Sequence, residues 1–151
     1  MRTEDPRRTV RIAVPAGWER VADPAPGVLL LAAPRRPVGE ACPSMAVSVA
    51  DLEPGWSRTG WLERFRAELA SSLAGFDVED EDSFDLDGFD VDYLRLAHRD
   101  GGRELVSEVW VWLCEGRAWS VSGTIERSEY GAWCEVFEGV AATFDPEASA
   151  A

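Results

Sequence analysis

The side chains suited to acid–base or nucleophilic chemistry are few in this chain. Its 151 residues contain one histidine, His98, and three widely spaced cysteines, Cys42, Cys114 and Cys134. A lone histidine removes most hydrolytic triads, and no Gly-x-Ser-x-Gly nucleophile elbow is present. His98 stands beside a predicted hairpin turn, and we interpret it as structural or solvent-exposed. No Cys-x-x-Cys pair occurs, so we expect three reduced thiols and no zinc site.

The densest group of ionisable side chains is acidic. Nine carboxylates and no base lie within residues 77–92. A calcium loop around Asp87-Gly88 would need a glutamate at its twelfth position, where the chain has Leu94. The stretch alternates like a strand, and we interpret it as a solvated acidic edge strand that resists aggregation. A weak cation site at Asp90 and Asp92 is the alternative. We predict no metal and no cofactor, and the chain has no lysine for a phosphate-binding loop.

The overall charge restricts the kind of partner. Fifteen basic residues against 28 acidic ones give a net charge of −13 at pH 7. Phosphates are repelled by such a surface, so we expect no nucleic acid and no membrane as partner. A protein or peptide partner should be basic, or neutral and apolar. The N-terminus shows no apolar signal segment, and the expected location is the cytoplasm.

Hydrophobic periodicity predicts the elements that position these residues. Apolar runs predict strands over 9–14, 28–33 and 44–52, and helical periodicity predicts helices over 59–74 and 128–144. Between the two helices, short glycine-containing turns separate four further strands, which must therefore pair antiparallel.

The predicted fold class is α+β. Two apolar-striped helices and a sheet that is apolar on both faces predict an α/β/α sandwich. Its centre is a mostly antiparallel sheet of six to seven strands, and the order along the chain is βββαββββα. Residues 8–145 should form a single domain, with a flexible N-terminus at 1–7 and a flexible tail at 146–151.

The hairpin turns also predict the strand register. Two-residue turns at Asp87-Gly88, Gly101-Gly102 and Glu115-Gly116 place Arg95 opposite Glu108. Cross-strand pairs of opposite charge or of aromatic rings are each favourable by about 0.2–1 kcal/mol, which supports this register. One sheet face then carries an aromatic cluster, bordered by Arg95, Glu108 and Asp80. Its members are Tyr93, Trp110, Trp112, Trp119 and Val121.

This aromatic cluster has two interpretations. If the face is open, the cluster is a partner-binding surface with Arg95 and Glu108 as its polar rim, because aromatic residues are enriched at interface hot spots. If the first helix covers it through Trp61, Phe65 and Leu69, the cluster is hydrophobic core. Both interpretations are compatible with the sequence.

Three short motifs resemble those of a known family. The chain opens with Val10-Arg11-Ile12-Ala13-Val14-Pro15-Ala16-Gly17-Trp18. It has Leu86-Asp87-Gly88-Phe89 in its meander and Ala142-Thr143-Phe144 at the end of its last helix. These motifs make residues 8–145 similar to the PsbP-like superfamily. The resemblance implies an α/β/α sandwich, and it implies a binding protein, adaptor or chaperone without common catalytic residues.

The function that this resemblance favours is non-enzymatic. We expect a cytosolic bacterial binding protein, an adaptor or chaperone that holds a protein or peptide partner. The first alternative is a small hydrolase or isomerase that uses a pocket carboxylate, for which the abundance of Asp and Glu is the support. The second is a homo-oligomeric structural subunit, such as a homodimer joined through a sheet edge or face. Buried, paired carboxylates in a closed pocket would favour the enzyme, and an open apolar groove would favour the binding protein.

Overall fold

The computed structural model describes residues 10–21, 25–36 and 39–149. Within them, seven strands form one antiparallel sheet against which two α-helices pack, so the predicted class and the order βββαββββα are confirmed. The strands are β1 Trp18–Arg20, β2 Val28–Pro34, β3 Ser44–Asp51, β4 Ala74–Leu86, β5 Phe89–Asp100, β6 Arg103–Cys114 and β7 Arg117–Glu126. The helices are α1 Arg58–Ser72 and α2 Tyr130–Ala141, and a 3-10 turn, Arg127–Glu129, directly precedes α2.

The order of the strands across the sheet is β1-β2-β3-β7-β6-β5-β4. The register predicted from the turns is confirmed, with Arg95 opposite Glu108 on β5 and β6 and Trp112 opposite Trp119 on β6 and β7. The turn residues explain this agreement. Asp87 and Gly88 have φ angles of 53° and 86°, and an Asp-Gly pair tolerates two consecutive left-handed residues in a two-residue hairpin loop.

The first predicted strand is wrong. Residues 10–14 have no regular structure, residue 9 lies outside the described residues, and β1 begins only at Trp18. The segment bonds to the chain beyond α2 instead of to the sheet. The N–H of Ala13 donates to Thr143 Oγ1, and the N–H of Asp145 donates to the Arg11 carbonyl, both at 2.9 Å. Its alternation still identifies the buried side, because Val10, Ile12 and Val14 pack against the core. An alternating pattern indicates burial but does not specify the hydrogen-bond partner.

The chain ends are held in part by hydrogen bonds. Beyond α2, the N–H groups of Glu147 and Ala148 both donate to Asp145 Oδ1. The hydroxyl of Ser149 accepts from the N–H of Arg11 at 2.9 Å. The predicted flexible N-terminus at 1–7 and the last two residues of the predicted tail lie outside the described residues.

Six of the nine carboxylates of the acidic run lie on the edge strand β4, as expected, whereas Asp87 lies in the turn and Asp90 and Asp92 lie on β5. The N–H groups of Glu81 and Ser83 donate to the carboxylates of the preceding Asp80 and Asp82, at 2.9 and 2.8 Å. These donors are therefore satisfied within their own strand. An edge strand whose outer groups are occupied and charged is a poor template for pairing with another chain.

The two helices cover opposite faces of the sheet. Helix α2 covers the aromatic cluster, where Trp112 is 1% exposed and Phe137 of α2 is fully buried. Phe144 packs edge-on against Trp112, with ring centroids 4.7 Å apart. The expectation that the first helix covers this cluster is therefore wrong. Both helices carry an apolar stripe, so the sequence pattern does not say which helix covers which face.

Helix α1 covers the other face incompletely. It packs over β4, β5 and β6, against a buried group that comprises Leu94, Leu96, Val109 and Val111. None of the residues of α1, all of which are described, is buried. Its first turn is fixed by the Ser57 hydroxyl, which accepts from the Gly60 N–H at 3.1 Å, and by an ion pair between Arg58 and Asp92 at 2.5 Å. Among the described residues, the part of this face formed by β3 and β7 borders an open cleft beside α1.

Close approach of α2 to the sheet depends on Gly123. A Cβ atom at this position of β7 would lie 2.5 Å from the Phe137 ring, which is far inside van der Waals contact. The ring therefore packs directly on the strand backbone, and any side chain at this position would push it away.

We predict that Gly123→Ala lowers the free energy of unfolding by about 1–3 kcal/mol, the usual cost of overpacking a core. Denaturant unfolding followed by tryptophan fluorescence measures the change. Gly139→Ala is the matched control, because Gly139 lies on the exposed side of α2 with open space around it. That variant should be neutral or slightly stabilising, since alanine favours a helix over glycine by about 1 kcal/mol. Unchanged stability of Gly123→Ala would contradict this packing.

Candidate functional site

The predicted aromatic surface is closed in the structure. Trp110, Trp112, Trp119 and Val121 are buried beneath α2, with exposed fractions of 3% or less. Tyr93 is half-buried at the margin of the cluster, and its ring centroid lies 5.4 Å from that of Trp110. The structure therefore brings all five residues together, as predicted, but as part of the core and not as an open groove.

The predicted polar rim forms a partly buried network around Glu108. Glu108 is 5% exposed, and its Oε2 accepts a hydrogen bond from the Tyr93 hydroxyl. Tyr130, the first residue of α2, interacts with both Glu108 and Arg95. The Arg95 guanidinium also lies 5.8 Å from the centroid of the Tyr130 ring. These contacts attach the start of α2 to β5 and β6.

A second acidic group extends this network to the turn before α2. Glu79 on β4 lies 3.9 Å from Arg95 and accepts a hydrogen bond from Arg127 at 2.7 Å. Asp80, the third predicted rim residue, lies opposite Arg95 across the strands. The three rim residues therefore lie on neighbouring strands in the predicted register, and two of them, Arg95 and Glu108, contact α2 through Tyr130.

Enclosure changes the acid–base properties of this network. Burial raises the pKa of Glu108, and hydrogen bonds from Tyr93 and Tyr130 together with the Arg95 charge oppose the rise. Burial also raises the pKa of both tyrosines, and the nearby Glu108 charge adds to the effect. The second oxygen of Glu108, Oε1, has no hydrogen-bond partner among the described residues. A buried carboxylate of raised pKa is typical of catalytic sites, but this one faces the core beneath α2.

An open cleft of about 450 Å³ lies on the opposite face, beside α1. Its volume falls within the range of known ligand pockets. The floor is formed by small side chains of β3 and β7, namely Ser48, Ala50, Ala118 and Ser120. One wall is α1, and the other is the loop of residues 53–57 that precedes it. We call this feature the α1 cleft.

Two tryptophans line the α1 cleft. Trp56 is 42% exposed, and its backbone N–H donates to the Glu53 carbonyl at 3.1 Å in the turn before α1. Trp61 stacks on Phe65, with ring centroids 4.9 Å apart and planes 18° from parallel. Trp56 was not predicted as a site residue because it belongs to no helical or alternating pattern. The sequence feature that could have indicated Trp56 is an aromatic residue in a Pro-Gly loop, directly before the Ser57 cap of α1.

Charged side chains surround these rings. Asp51, Glu53 and Glu68 line the α1 cleft with one arginine, Arg64. Arg64 lies 3.5 Å from Glu53, and Arg117 lies 3.9 Å from Asp51. The carboxylates outnumber the cations, so the cleft shares the acidic character of the whole chain. The enzyme alternative requires buried, paired carboxylates, whereas Asp51 and Glu53 have side chains 92% and 74% exposed.

His98 is buried, so its interpretation as solvent-exposed is wrong and a structural role remains. Its Nε2 lies 2.8 Å from Ser107 Oγ, which lies 2.7 Å from Thr124 Oγ1. The predicted register already placed these two residues close together, because Ser107 lies opposite Leu96 and is therefore a diagonal neighbour of His98. Burial lowers the pKa of His98 against the opposing charge of Asp100, which favours the neutral ring. Neither His98 nor Ser107 lines the α1 cleft.

At the alternative cation site of Asp90 and Asp92, the Asp92 carboxylate is engaged by the chain itself. Asp92 pairs with Arg58 and accepts a hydrogen bond from the Ser83 hydroxyl at 2.6 Å. Within the described ranges, no group of three or more His, Cys, Asp or Glu side chains is placed to hold a metal ion. The three cysteines are free thiols, as expected. No helix in the described part of the chain is long and apolar enough to cross a membrane.

Comparison with solved structures identifies the fold. LpqN from Mycobacterium tuberculosis, which is involved in cell envelope biogenesis, matches with a TM-score of 0.65 and 16% identity over 91% of this chain and 83% of its own. The cyanobacterial PsbP (CyanoP) from Synechocystis matches at 0.63 and 15%, over 95% and 89% of the two chains. The Saccharomyces cerevisiae Ran-binding protein Mog1p matches at 0.64 and 10%, over 94% of each. No protein-family model and no curated protein sequence matches.

The chain therefore has the Mog1p/PsbP-like fold, which confirms the fold that the sequence motifs implied. The matched structures span nearly the whole chain. The TM-scores of 0.63–0.65 establish a shared architecture. At sequence identities of 10–16%, the function has to be argued from the site.

We predict that ionisation of Glu108 destabilises the folded protein. A raised pKa means that the folded state holds the Glu108 proton more tightly than the unfolded state does. The stabilising contribution of protonated Glu108 is therefore complete at low pH and is lost as pH rises through the folded-state pKa. The free energy of unfolding of Glu108→Gln, relative to that of wild type, should therefore increase from about pH 4 to about pH 7. Denaturant unfolding at both pH values measures this difference.

The amide oxygen of the variant can still accept from Tyr93, so the comparison isolates the charge. Glu104→Gln on the same strand, at an exposed ion pair with Arg99, is the control. The same trend in both variants, or none in Glu108→Gln, would contradict the prediction.

Proposed function

We propose that this protein is a non-enzymatic binding protein, an adaptor or chaperone that holds a protein or peptide partner in the α1 cleft. The observation that carries the proposal is the exposed indole of Trp56 in an open cleft. Binding sites are concave surfaces lined largely by apolar and aromatic side chains, and tryptophan is one of the residues enriched at binding hot spots. The proposal moves the binding site from the aromatic cluster to the opposite face of the sheet.

The fold comparison supports a binding role in general terms. Mog1p, which shares this architecture over 94% of its length, is a Ran-binding protein. Its partner is not transferred to this chain, because the two sequences share only 10% identity. The comparison supports the use of this fold for holding another protein.

Charge indicates the chemistry of the partner. The net charge of −13 attracts a basic partner and repels an acidic one, mainly through the association rate and at low ionic strength. The wall and floor of the cleft also offer apolar contacts from Trp61, Phe65 and Ala50. We therefore propose a partner segment that is basic or neutral and apolar, bound in the cytoplasm.

The test is capture of a partner from the source lysate at two salt concentrations, followed by mass spectrometry. We expect a partner that wild type retains and that Trp56→Ala loses, with weaker retention of a basic partner at the higher salt concentration. Val21→Ala is the matched control, because Val21 is the other large exposed apolar side chain of the described residues, at 49%, and lies outside the α1 cleft.

Circular dichroism should show that all three proteins are folded, since truncation of an exposed side chain leaves the core intact. A set of captured proteins that Trp56→Ala does not change would contradict the proposal.

A further inference from the structure

We propose that the α1 cleft recognises a cationic side chain, an arginine or lysine, of the bound segment. This inference rests on the proposed function and specifies the chemistry of the partner. Trp56 offers an exposed indole, and the same cleft carries the carboxylates of Glu53 and Glu68. A tryptophan face attracts cations more strongly than other aromatic faces do, and nearby carboxylates supply the counter-charge.

The cleft already contains one cation, which is held loosely. Arg64 on α1 pairs with Glu53 at 3.5 Å, and the two side chains are 60% and 74% exposed. Ion pairs this exposed contribute little, because water screens them and two long side chains must be ordered. A cation from a partner can therefore replace Arg64 beside Glu53, while Arg64 turns towards solvent.

The chain provides an internal example of the proposed recognition. On the other side of the molecule, the Arg36 guanidinium lies 5.2 Å from the centroid of the Trp133 ring in α2. Arg36 also lies 3.5 Å from Glu40, the same separation as in the pair between Arg64 and Glu53. An arginine thus combines a tryptophan face with a glutamate at this site. In the α1 cleft, tryptophan and glutamate are present and the indole remains exposed.

The experiment is an NMR titration of the full chain, followed through the indole N–H signal of Trp56. The probe is an acetylated and amidated pentapeptide, Ala-Arg-Leu-Arg-Ala. Its analogue with citrulline in place of both arginines keeps the shape and removes the charge. We expect the arginine peptide to shift the Trp56 signal and to bind at least about fivefold more tightly than the citrulline peptide.

Variants of the cleft test each group separately. Trp56→Ala and Glu53→Gln should each weaken binding of the arginine peptide about fivefold. Because Trp56→Ala lacks the indole, its titration is followed through the backbone N–H signals of the residues that line the cleft. Arg64→Gln should tighten binding, because it removes the competing cation from Glu53.

Glu40→Gln and Arg36→Gln are the matched controls. They make the same changes of net charge at an ion pair of equal length outside the cleft, so they report the effect of overall charge alone. Equal binding of the two peptides, absence of a Trp56 shift at millimolar peptide, or equal effects of Glu40→Gln and Glu53→Gln would each overturn the inference. If a lysate partner is nevertheless captured through Trp56, the binding role stands and only its specificity for cations fails.

Discussion

Burial of Trp110, Trp112 and Trp119 beneath α2 is the interaction on which the rest of the structure depends. The three rings lie on neighbouring strands and are at most 3% exposed, closed from above by Phe137 and Phe144. Side chains of this size dominate the hydrophobic stabilisation of a small domain. The polar network of Tyr93, Arg95, Glu108 and Tyr130 lies at the margin of the same contact, so the start of α2 is fixed both by apolar packing and by the polar contacts of Tyr130 with Arg95 and Glu108. This face is therefore committed to stability.

The opposite face is built differently. Helix α1 packs on part of the sheet with none of its described residues buried, whereas α2 buries Phe137, Val140 and Ala141. Small side chains on β3 and β7 leave the space beside α1 open, and the Pro-Gly loop presents Trp56 at its border. Under the proposed function, stability and binding are separated between the two faces. A partner in the α1 cleft would complete the cover that α1 alone does not supply.

Much of this architecture was predictable because local rules determine it. The Asp87-Gly88, Gly101-Gly102 and Glu115-Gly116 turns specified the register of four strands, and that register brought the predicted aromatic cluster together. The side of the sheet on which each helix packs was not predictable, because both helices carry apolar stripes. The prediction of a strand at residues 9–14 was wrong, because alternation in residues 10–14 indicates burial against the core and not pairing in the sheet. The α1 cleft was missed because Trp56 lies in a loop, where no periodicity indicates which way a side chain faces.

The central claim is that one face of the sheet is closed core and the other carries an accessible tryptophan. Paramagnetic relaxation of the seven indole signals by a neutral, soluble gadolinium chelate measures this accessibility directly. We predict strong broadening of the Trp56 signal and little broadening of the Trp110, Trp112 and Trp119 signals. Broadening of the Trp112 signal equal to that of Trp56, or a Trp56 signal as protected as those of the core, would contradict the account.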